Sequence, residues 1–155
     1  MPRPRRGPGP AGGDPGRVFV DSGAWIALFS AADQHHAAAD AGFRLAAARR
    51  IRLVTTNLVM AEVHRLLLFR AGIRAAVAAL DAADRSALLD LHFATQDEHR
   101  AARAWLARLN DQPISYADAV SFAVMRALRC STALSFDHHF AVAGFTLWQP
   151  TPGRR

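Results

Sequence analysis

The sequence predicts an α/β fold, in which helices cover both faces of a mostly parallel five-stranded sheet. Short apolar runs alternate along the chain with longer stretches in which apolar residues recur at helical spacing. Polar residues bound the short runs, as expected of strands that are buried on both faces. Because helical crossovers join successive strands, the strands are expected to run parallel.

Five apolar runs supply the predicted strands, and the segments between them supply the helices. Each run is too short for a helix and ends in polar or turn-forming residues. The predicted strands cover residues 18–20, 53–55, 88–93, 134–136 and 145–147. The predicted helices cover residues 24–29, 37–49, 58–69, 74–82, 97–109 and 115–128.

Polar residues and chain breaks set the expected helix ends. Asp33 and Asn57 stand where they can cap the second and third helices, since their side-chain oxygens accept hydrogen bonds from free backbone N–H groups. Gly72 separates the third helix from the fourth. The run Asn110-Asp111-Gln112-Pro113 ends the fifth helix, and Ser115 starts the sixth.

A single domain is predicted over residues 17–149. The chain of 155 residues is long enough for a compact domain to bury roughly 68% of the surface that its unfolded form exposes. Residues 1–16 hold five of the eight prolines and five of the ten glycines, so they are expected to form a disordered tail. Residues 150–155 form a short C-terminal tail.

Composition argues against several classes of protein. All 19 basic residues are arginine. The absence of lysine excludes a Walker-type phosphate loop and Schiff-base chemistry, and it argues against aspartyl-phosphate phosphatases and response-regulator-like receivers. No segment has the apolar core of a secretory signal or the length of a membrane span, so a cytoplasmic location without a membrane partner is expected.

Charge and cysteine content are less informative. The net charge of +6 comes mainly from the tails, because residues 17–149 hold 14 arginines and 12 acidic residues. Basicity is therefore weak evidence for nucleic-acid binding. The single cysteine, Cys130, has apolar neighbours and is expected to be a small buried residue without a chemical role.

Four carboxylates stand where an α/β fold would place a metal site. Asp21 and Asp137 each follow a predicted strand, at the edge of the sheet where ligands bind in such folds. Glu62 and Asp118 lie on helices among apolar residues at helical spacing, so both are expected to face inward. An inward carboxylate is costly unless a partner compensates its charge.

A divalent cation would compensate these charges. Clustered carboxylates repel one another, and the sequence offers no obvious basic partner to both helical acids. Mg²⁺ and Mn²⁺ prefer oxygen ligands, whereas the pairs His35-His36 and His138-His139 lack the spacing of a helical zinc site. The sequence therefore predicts a Mg²⁺ or Mn²⁺ site. Its expected ligands are Asp21, Glu62, Asp118 and Asp137.

Three of the acids also have a structural alternative. Asp21 and Asp137 are placed to cap the helix or turn that follows each of them. Asp118 lies three residues after Ser115, a spacing that matches a capping box. Glu62 has no such alternative, because it shares a stripe with apolar residues of its helix.

Four segments carry a family resemblance. They are VFVDSGAW at 18–25, TTNLVMAEV at 55–63, ISYADAVSFAVM at 114–125 and LSFDHHF at 134–140. In this order and spacing they resemble PIN-domain ribonucleases, and most closely the VapC-like toxins of bacterial toxin–antitoxin pairs. With their spacing the segments cover about residues 17–149.

The resemblance implies a three-layer α/β/α sandwich and a Mg²⁺- or Mn²⁺-dependent endoribonuclease. Ser22 matches the small hydroxyl residue that the family places beside its first aspartate. The family's acidic metal-binding set is matched by Asp21, Glu62, Asp118 and Asp137. Hydrolysis of an RNA phosphodiester by an activated water, a cognate antitoxin and a homodimer are also implied.

Two alternative functions differ from this interpretation. One is a PIN-like domain that binds RNA or a partner without cutting it, against which the presence of all four acids argues. The other is metal-free RNA cleavage by His138 and His139, which would leave a cyclic phosphate on the product.

Deletion of residues 2–15 tests the predicted domain boundary. The composition of this tail does not support a packed core, so the melting temperature and the RNA cleavage site should not change. Any loss of RNA affinity should be largest at low salt, because the three arginines of the tail add only nonspecific attraction to RNA. A deletion variant that fails to fold, or that cuts elsewhere, would show that the tail belongs to the structure or to RNA recognition.

Overall fold

A computed structural model describes residues 15–149 of the protein. The strands are β1 (Arg17–Val20), β2 (Arg52–Thr56), β3 (Leu89–His92), β4 (Thr132–Leu134) and β5 (Thr146–Leu147). The helices are α1 (Ser22–Phe29), α2 (His36–Arg49), α3 (Asn57–Arg70), α4 (Ile73–Arg85), α5 (Gln96–Arg108), α6 (Tyr116–Ala127) and α7 (His139–Val142). The tails predicted at residues 1–16 and 150–155 lie outside the described residues, except for Pro15 and Gly16.

The five strands form one parallel sheet in the order β3-β2-β1-β4-β5. Both faces of this sheet are covered. Val18, Phe19 and Val20 are fully buried, although successive strand residues point to opposite faces. Helices α1 to α4 pack against one another, and α5 packs against α6. The three-layer α/β/α sandwich with five parallel strands is therefore confirmed.

An aromatic cluster joins β1 to the helices on one face. The ring of Phe122 in α6 lies 5.0 Å from Phe140, 5.4 Å from Trp105 and 5.7 Å from Phe145, between ring centroids. Phe140 in turn lies 6.2 Å from Phe19 of β1. Each such pair contributes about 0.5–1.5 kcal/mol beyond the burial of its area. The cluster therefore holds α5, α6 and α7 against the sheet.

Cys130 is buried, as expected from its apolar neighbours. Burial raises the pKa of its thiol. The thiolate that would react is therefore disfavoured, which agrees with a packing role.

The strand order places a crevice at the end of β1. The chain leaves β1 for β2 on one side, and it later returns to β4 on the other side. In open parallel sheets a ligand site forms where the strand order reverses in this way, beyond the carboxyl ends of the strands. Asp21 follows β1 at this point, and its backbone N–H donates to the Leu134 carbonyl of β4 at 3.1 Å.

The expected caps of α2 and α3 are wrong. Thr56 caps α3, because its hydroxyl oxygen accepts from the Val59 N–H at 3.1 Å. Asn57 instead accepts from the Ala94 N–H at 3.2 Å and so ties α3 to the loop after β3. The Asp33 carboxylate accepts from the His35 N–H at 2.8 Å, which forms a turn before α2 and leaves the helix without a side-chain cap.

The end of β4 also differs from the prediction. The strand was expected at 134–136 and instead covers Thr132–Leu134. Ser135 turns its hydroxyl towards Asp21, so the chain leaves the sheet two residues early. The other strands and the helices agree with their predicted positions to within three residues at each end. No helix among residues 15–149 combines the length and apolarity required to cross a membrane.

Candidate active site

One cleft brings together all five predicted site residues. It has a volume of about 480 Å³ and lies at the carboxyl ends of β1 and β4. Its walls also include Ser115, Phe136 and His138. The predicted residues on its surface are Asp21, Ser22, Glu62, Asp118 and Asp137.

Asp21 is the buried acid of the cleft, with 5% of its surface exposed. It occupies the N-cap position of α1 but makes no side-chain capping bond, so the alternative role as a cap does not apply. Its Oδ2 accepts a hydrogen bond from the Ser135 hydroxyl at 2.9 Å. Burial, and then the negative charge of Asp118, raise the pKa of Asp21 to about 7.

Asp118 both caps a helix and faces the cleft. Its Oδ2 accepts from the Ser115 N–H at 3.3 Å, and its own N–H donates to the Ser115 hydroxyl at 3.1 Å, which completes the expected capping box. Within the described residues no hydrogen bond reaches Oδ1. Burial raises the pKa of Asp118, and the charge of Asp137 adds to this effect. Its capping role therefore leaves one oxygen free for a ligand.

Glu62 is half-buried on α3 and faces the same cleft as its neighbour on the helix, Leu66. This agrees with the inward orientation that the apolar stripe predicts. No hydrogen bond or ion pair to its carboxylate occurs among residues 15–149. Glu62 therefore has both oxygens available.

Asp137 is held by the turn that follows β4. Its Oδ1 accepts from the His139 N–H at 2.9 Å and lies 2.7 Å from His139 Nδ1. The expected role at the start of this turn is therefore present, together with exposure to the cleft. Ser22, the first residue of α1, is half-buried beside Asp21.

Ser135 supports the cleft and was not predicted from the sequence as a site residue. Ser135 links two acids, since its hydroxyl donates to Asp21 and accepts from the Asp137 N–H at 3.0 Å. A hydroxyl residue directly after an apolar strand was the available signal. His138 and His139 join Asp137 to form a group whose ligand atoms all lie within 4.8 Å of one another. One end of the cleft therefore offers nitrogen as well as oxygen donors.

The charge of the cleft fits a divalent cation. No arginine is among the described residues that line it, so no permanent positive charge from the protein faces the carboxylates. Two of these carboxyl groups have raised pKa values, as expected when buried negative charges lack compensation. A cation with oxygen ligands, such as Mg²⁺ or Mn²⁺, fits this set of donors.

The sequence profile of the PIN domain matches residues 18–145 of this chain. The chain belongs to the PIN domain family. The match includes all four acids of the cleft and every strand from β2 to β4, together with most of β1.

A PIN-domain relative of known activity aligns along most of the chain. The 23S rRNA-specific endonuclease VapC20 of Mycobacterium tuberculosis, from two strains, is 39% identical over 133 residues. The alignment covers 86% of this chain and 98% of VapC20. The similarity therefore extends over nearly the whole relative.

Solved structures agree with this similarity. The crystal structure of M. tuberculosis VapC20, described as a sarcin–ricin loop cleaving toxin, gives a TM-score of 0.78 at 38% identity and covers 86% of this chain and 99% of its own. VapBC2 of Rickettsia felis, bound to a DNA fragment from its promoter, gives a TM-score of 0.63 at 12% identity over 85% of this chain and 97% of its own. The second likeness supports the PIN fold alone.

The pKa of Asp21 predicts how stability depends on pH in the metal-free protein. The folded value is about 7, whereas an unfolded aspartate titrates near pH 3.9. Asp21 is protonated in both states at low pH, and the unfolded state releases the proton first as the pH rises. The free energy of unfolding should therefore fall between about pH 4 and 7, by up to about 4 kcal/mol.

Asp21→Asn should remove this loss, since asparagine does not ionise. In denaturant unfolding with EDTA, the variant should gain stability relative to the native protein as the pH rises from 5 to 8. Asp111→Asn changes an exposed acid outside the cleft. Its stability should differ from that of the native protein by the same amount at every pH. If the stability difference between Asp21→Asn and the native protein is equally independent of pH, the Asp21 carboxyl group is not buried without compensation.

Proposed function

We propose that this PIN-domain protein is a metal-dependent endoribonuclease and the toxin of a type II toxin–antitoxin system. The observation that carries the proposal is the meeting of four carboxylates in one cleft, with no arginine among the described residues of its walls. Similarity to VapC20 along most of both chains supports the same class of reaction.

The residues of the cleft have distinct roles in this proposal. Asp21 and Asp118 are the principal ligands, because one is fixed by Ser135 and the other by its capping box. Glu62 binds the cation directly or through water, and Asp137 completes the set from the turn after β4. A bound divalent cation supplies a water of lowered pKa and neutralises charge on the phosphate.

The hydrogen bonds around the ligands would orient the reaction. Ser135 orients the Asp21 carboxylate by donating to its Oδ2. Ser22, beside Asp21 at the start of α1, is placed to orient the attacking water. The cleft is open to solvent on the side of His138, whose side chain is 74% exposed. An RNA strand would enter from there.

The substrate proposed for the chain is the sarcin–ricin loop of 23S rRNA. VapC20 is named for this rRNA and described as cleaving this loop, and the two chains are 39% identical over 133 residues. A loop presents unpaired bases, which are the usual targets of sequence-specific RNA recognition. Such a substrate places the enzyme in the cytoplasm.

Two partners complete the proposal. A cognate antitoxin would hold the protein inactive, as the resemblance to VapC-like toxins implies. A homodimer is proposed on the same basis. The second candidate function, a PIN-like module that binds RNA without cutting it, has less support because all four acids line one cleft.

The first test of this function concerns the cation and the chemistry of the product. Purified protein should cut a sarcin–ricin stem–loop RNA only with Mg²⁺ or Mn²⁺ and should leave a 5′ phosphate and a 3′ hydroxyl. The hydrolytic mechanism requires these ends, whereas cleavage by the pair His138 and His139 would leave a cyclic phosphate. Cleavage that persists in EDTA, or cyclic ends in mass spectra of the products, would reject the proposal.

The second test separates the two roles of Asp118. Asp118→Asn retains an oxygen that accepts from the Ser115 N–H, so the fold should be as stable or more stable while the carboxylate is lost. Cleavage should fall by more than about 100-fold, because changes that merely disturb the support of a metal ligand already lower activity by about 10- to 100-fold.

The matched control is the second capping box of the chain. Thr95 and Glu98 form the same reciprocal bonds at the start of α5, outside the acidic cleft. Thr95→Ala should lose about 1 kcal/mol of stability and retain the full rate of cleavage. If Asp118→Asn also retains the full rate of cleavage, as Thr95→Ala should, Asp118 is only a cap.

A further inference from the structure

A second cavity, of about 530 Å³, adjoins the acidic cleft. Phe136 lines both cavities, and Ser135, which holds Asp21, lines the second one. The remaining walls come from the first half of α2 and from the residues after β5, among them Ala38 and Trp148. We call this cavity the aromatic groove.

Three planar side chains line the aromatic groove. The rings of His35 and Phe136 are stacked, with centroids 4.2 Å apart and planes 7° from parallel. Trp148 is half-buried, and its backbone N–H donates to the Ala133 carbonyl at 2.7 Å, which fixes it to β4. Flat side chains held in place by the fold are suited to a flat ligand.

The charge of the groove favours a neutral ligand. Among the described residues that line it there is no carboxylate and no arginine. A phosphate would therefore find no arginine among those residues. Polar atoms are nonetheless present, in the amide of Gln149 and the ring nitrogens of His35. These atoms can donate to and accept from the edge of a heterocycle.

We propose that the aromatic groove binds an unpaired nucleobase of the RNA, from a nucleotide that flanks the scissile phosphate. This inference rests on the proposed endoribonuclease function. Because Phe136 separates the groove from the acidic cleft, a base on one side and its neighbouring phosphate on the other would place the bond for attack. The groove thereby takes part in selecting the nucleotide at which the RNA is cut.

A fluorescence titration tests base binding without cleavage. Trp25 and Trp105 are 3% and 8% exposed, whereas Trp148 lies in the groove. In EDTA, nucleoside monophosphates should quench tryptophan emission saturably, and ribose 5-phosphate, which lacks a base, should not. Trp148→Phe should remove the response. Equal quenching by ribose 5-phosphate, or a response that survives Trp148→Phe, would overturn the assignment.

A pair of helix-surface variants tests the role in RNA cleavage. Ala38 and Ala48 are both exposed on α2, but only Ala38 lines the groove. Ala38→Trp fills the groove and should lower kcat/KM for the stem–loop RNA by about 5- to 150-fold, the range expected for one stacked base. Ala48→Trp should leave kcat/KM unchanged. Equal effects of the two variants would reject the groove as a base site.

RNAs that lack a single base identify the nucleotide whose base enters the groove. Removal of the base that enters the groove should lower kcat/KM for the native protein, with no further loss in Ala38→Trp, because both changes remove the same contact. Additive losses at every position would overturn the proposal. A second result would also overturn it: in Ala38→Trp, nucleotides quench tryptophan emission normally but the antitoxin binds more weakly. The groove would then hold a protein side chain and not a base.

These experiments test the base site in the groove separately from the proposed endoribonuclease function. If the native protein cuts no RNA, the endoribonuclease proposal fails, and the fluorescence titration still decides whether the groove binds a base. If the native protein cuts RNA but Ala38→Trp and abasic substitution have no effect, only the groove is rejected.

Discussion

The burial of Asp21, with no positive partner among residues 15–149, is the constraint on which the rest of the site depends. The strand order fixes its position, because β1 lies between β2 and β4 and Asp21 follows β1 at their shared edge. Burial and the charge of Asp118 disfavour its ionised form in the metal-free protein. The protein offers a hydroxyl, that of Ser135, where a structural ion pair would have an arginine. A hydrogen bond of this kind orients the carboxylate without neutralising it, so the negative charge that a cation would compensate remains.

Two other acids of the cleft are also held by local hydrogen bonds. Asp118 and Asp137 each use one carboxylate oxygen for a local backbone bond, and both still face the cleft. The local bond sets the side-chain rotamer before a ligand arrives. Preorganised ligands lose less conformational freedom on binding a metal than mobile ones. The capping bond of Asp118 therefore does not exclude the metal-binding role that is proposed for it.

Local patterns of the sequence were sufficient for the fold and for the location of the acids. The buried strands are short apolar runs, and the inward position of Glu62 follows from its stripe. Features that depend on distant residues were not predictable in this way. Ser135 bonds to Asp21 across 114 positions, directly after the last residue of β4. Thr56 and Asn57 are adjacent, and both are good capping residue types, so the local sequence does not decide which of them caps α3. The contact of Asn57 with Ala94 decides it.

In the proposed function, the segment after β4 connects base recognition to cleavage. Ser135 and Phe136 are consecutive, and between them they line the aromatic groove, line the acidic cleft and fix Asp21. Asp137 and His138 follow directly on the cleft side. A ligand that shifts Phe136 therefore also moves the backbone that carries the Ser135 hydroxyl and the Asp137 carboxylate. Since misplacement of a reacting group by about 1 Å can lower a rate by about 100-fold, a short, tightly bonded segment is a sensitive place to couple base recognition to cleavage. The four residues after β4 line the two cavities and lie outside the sheet.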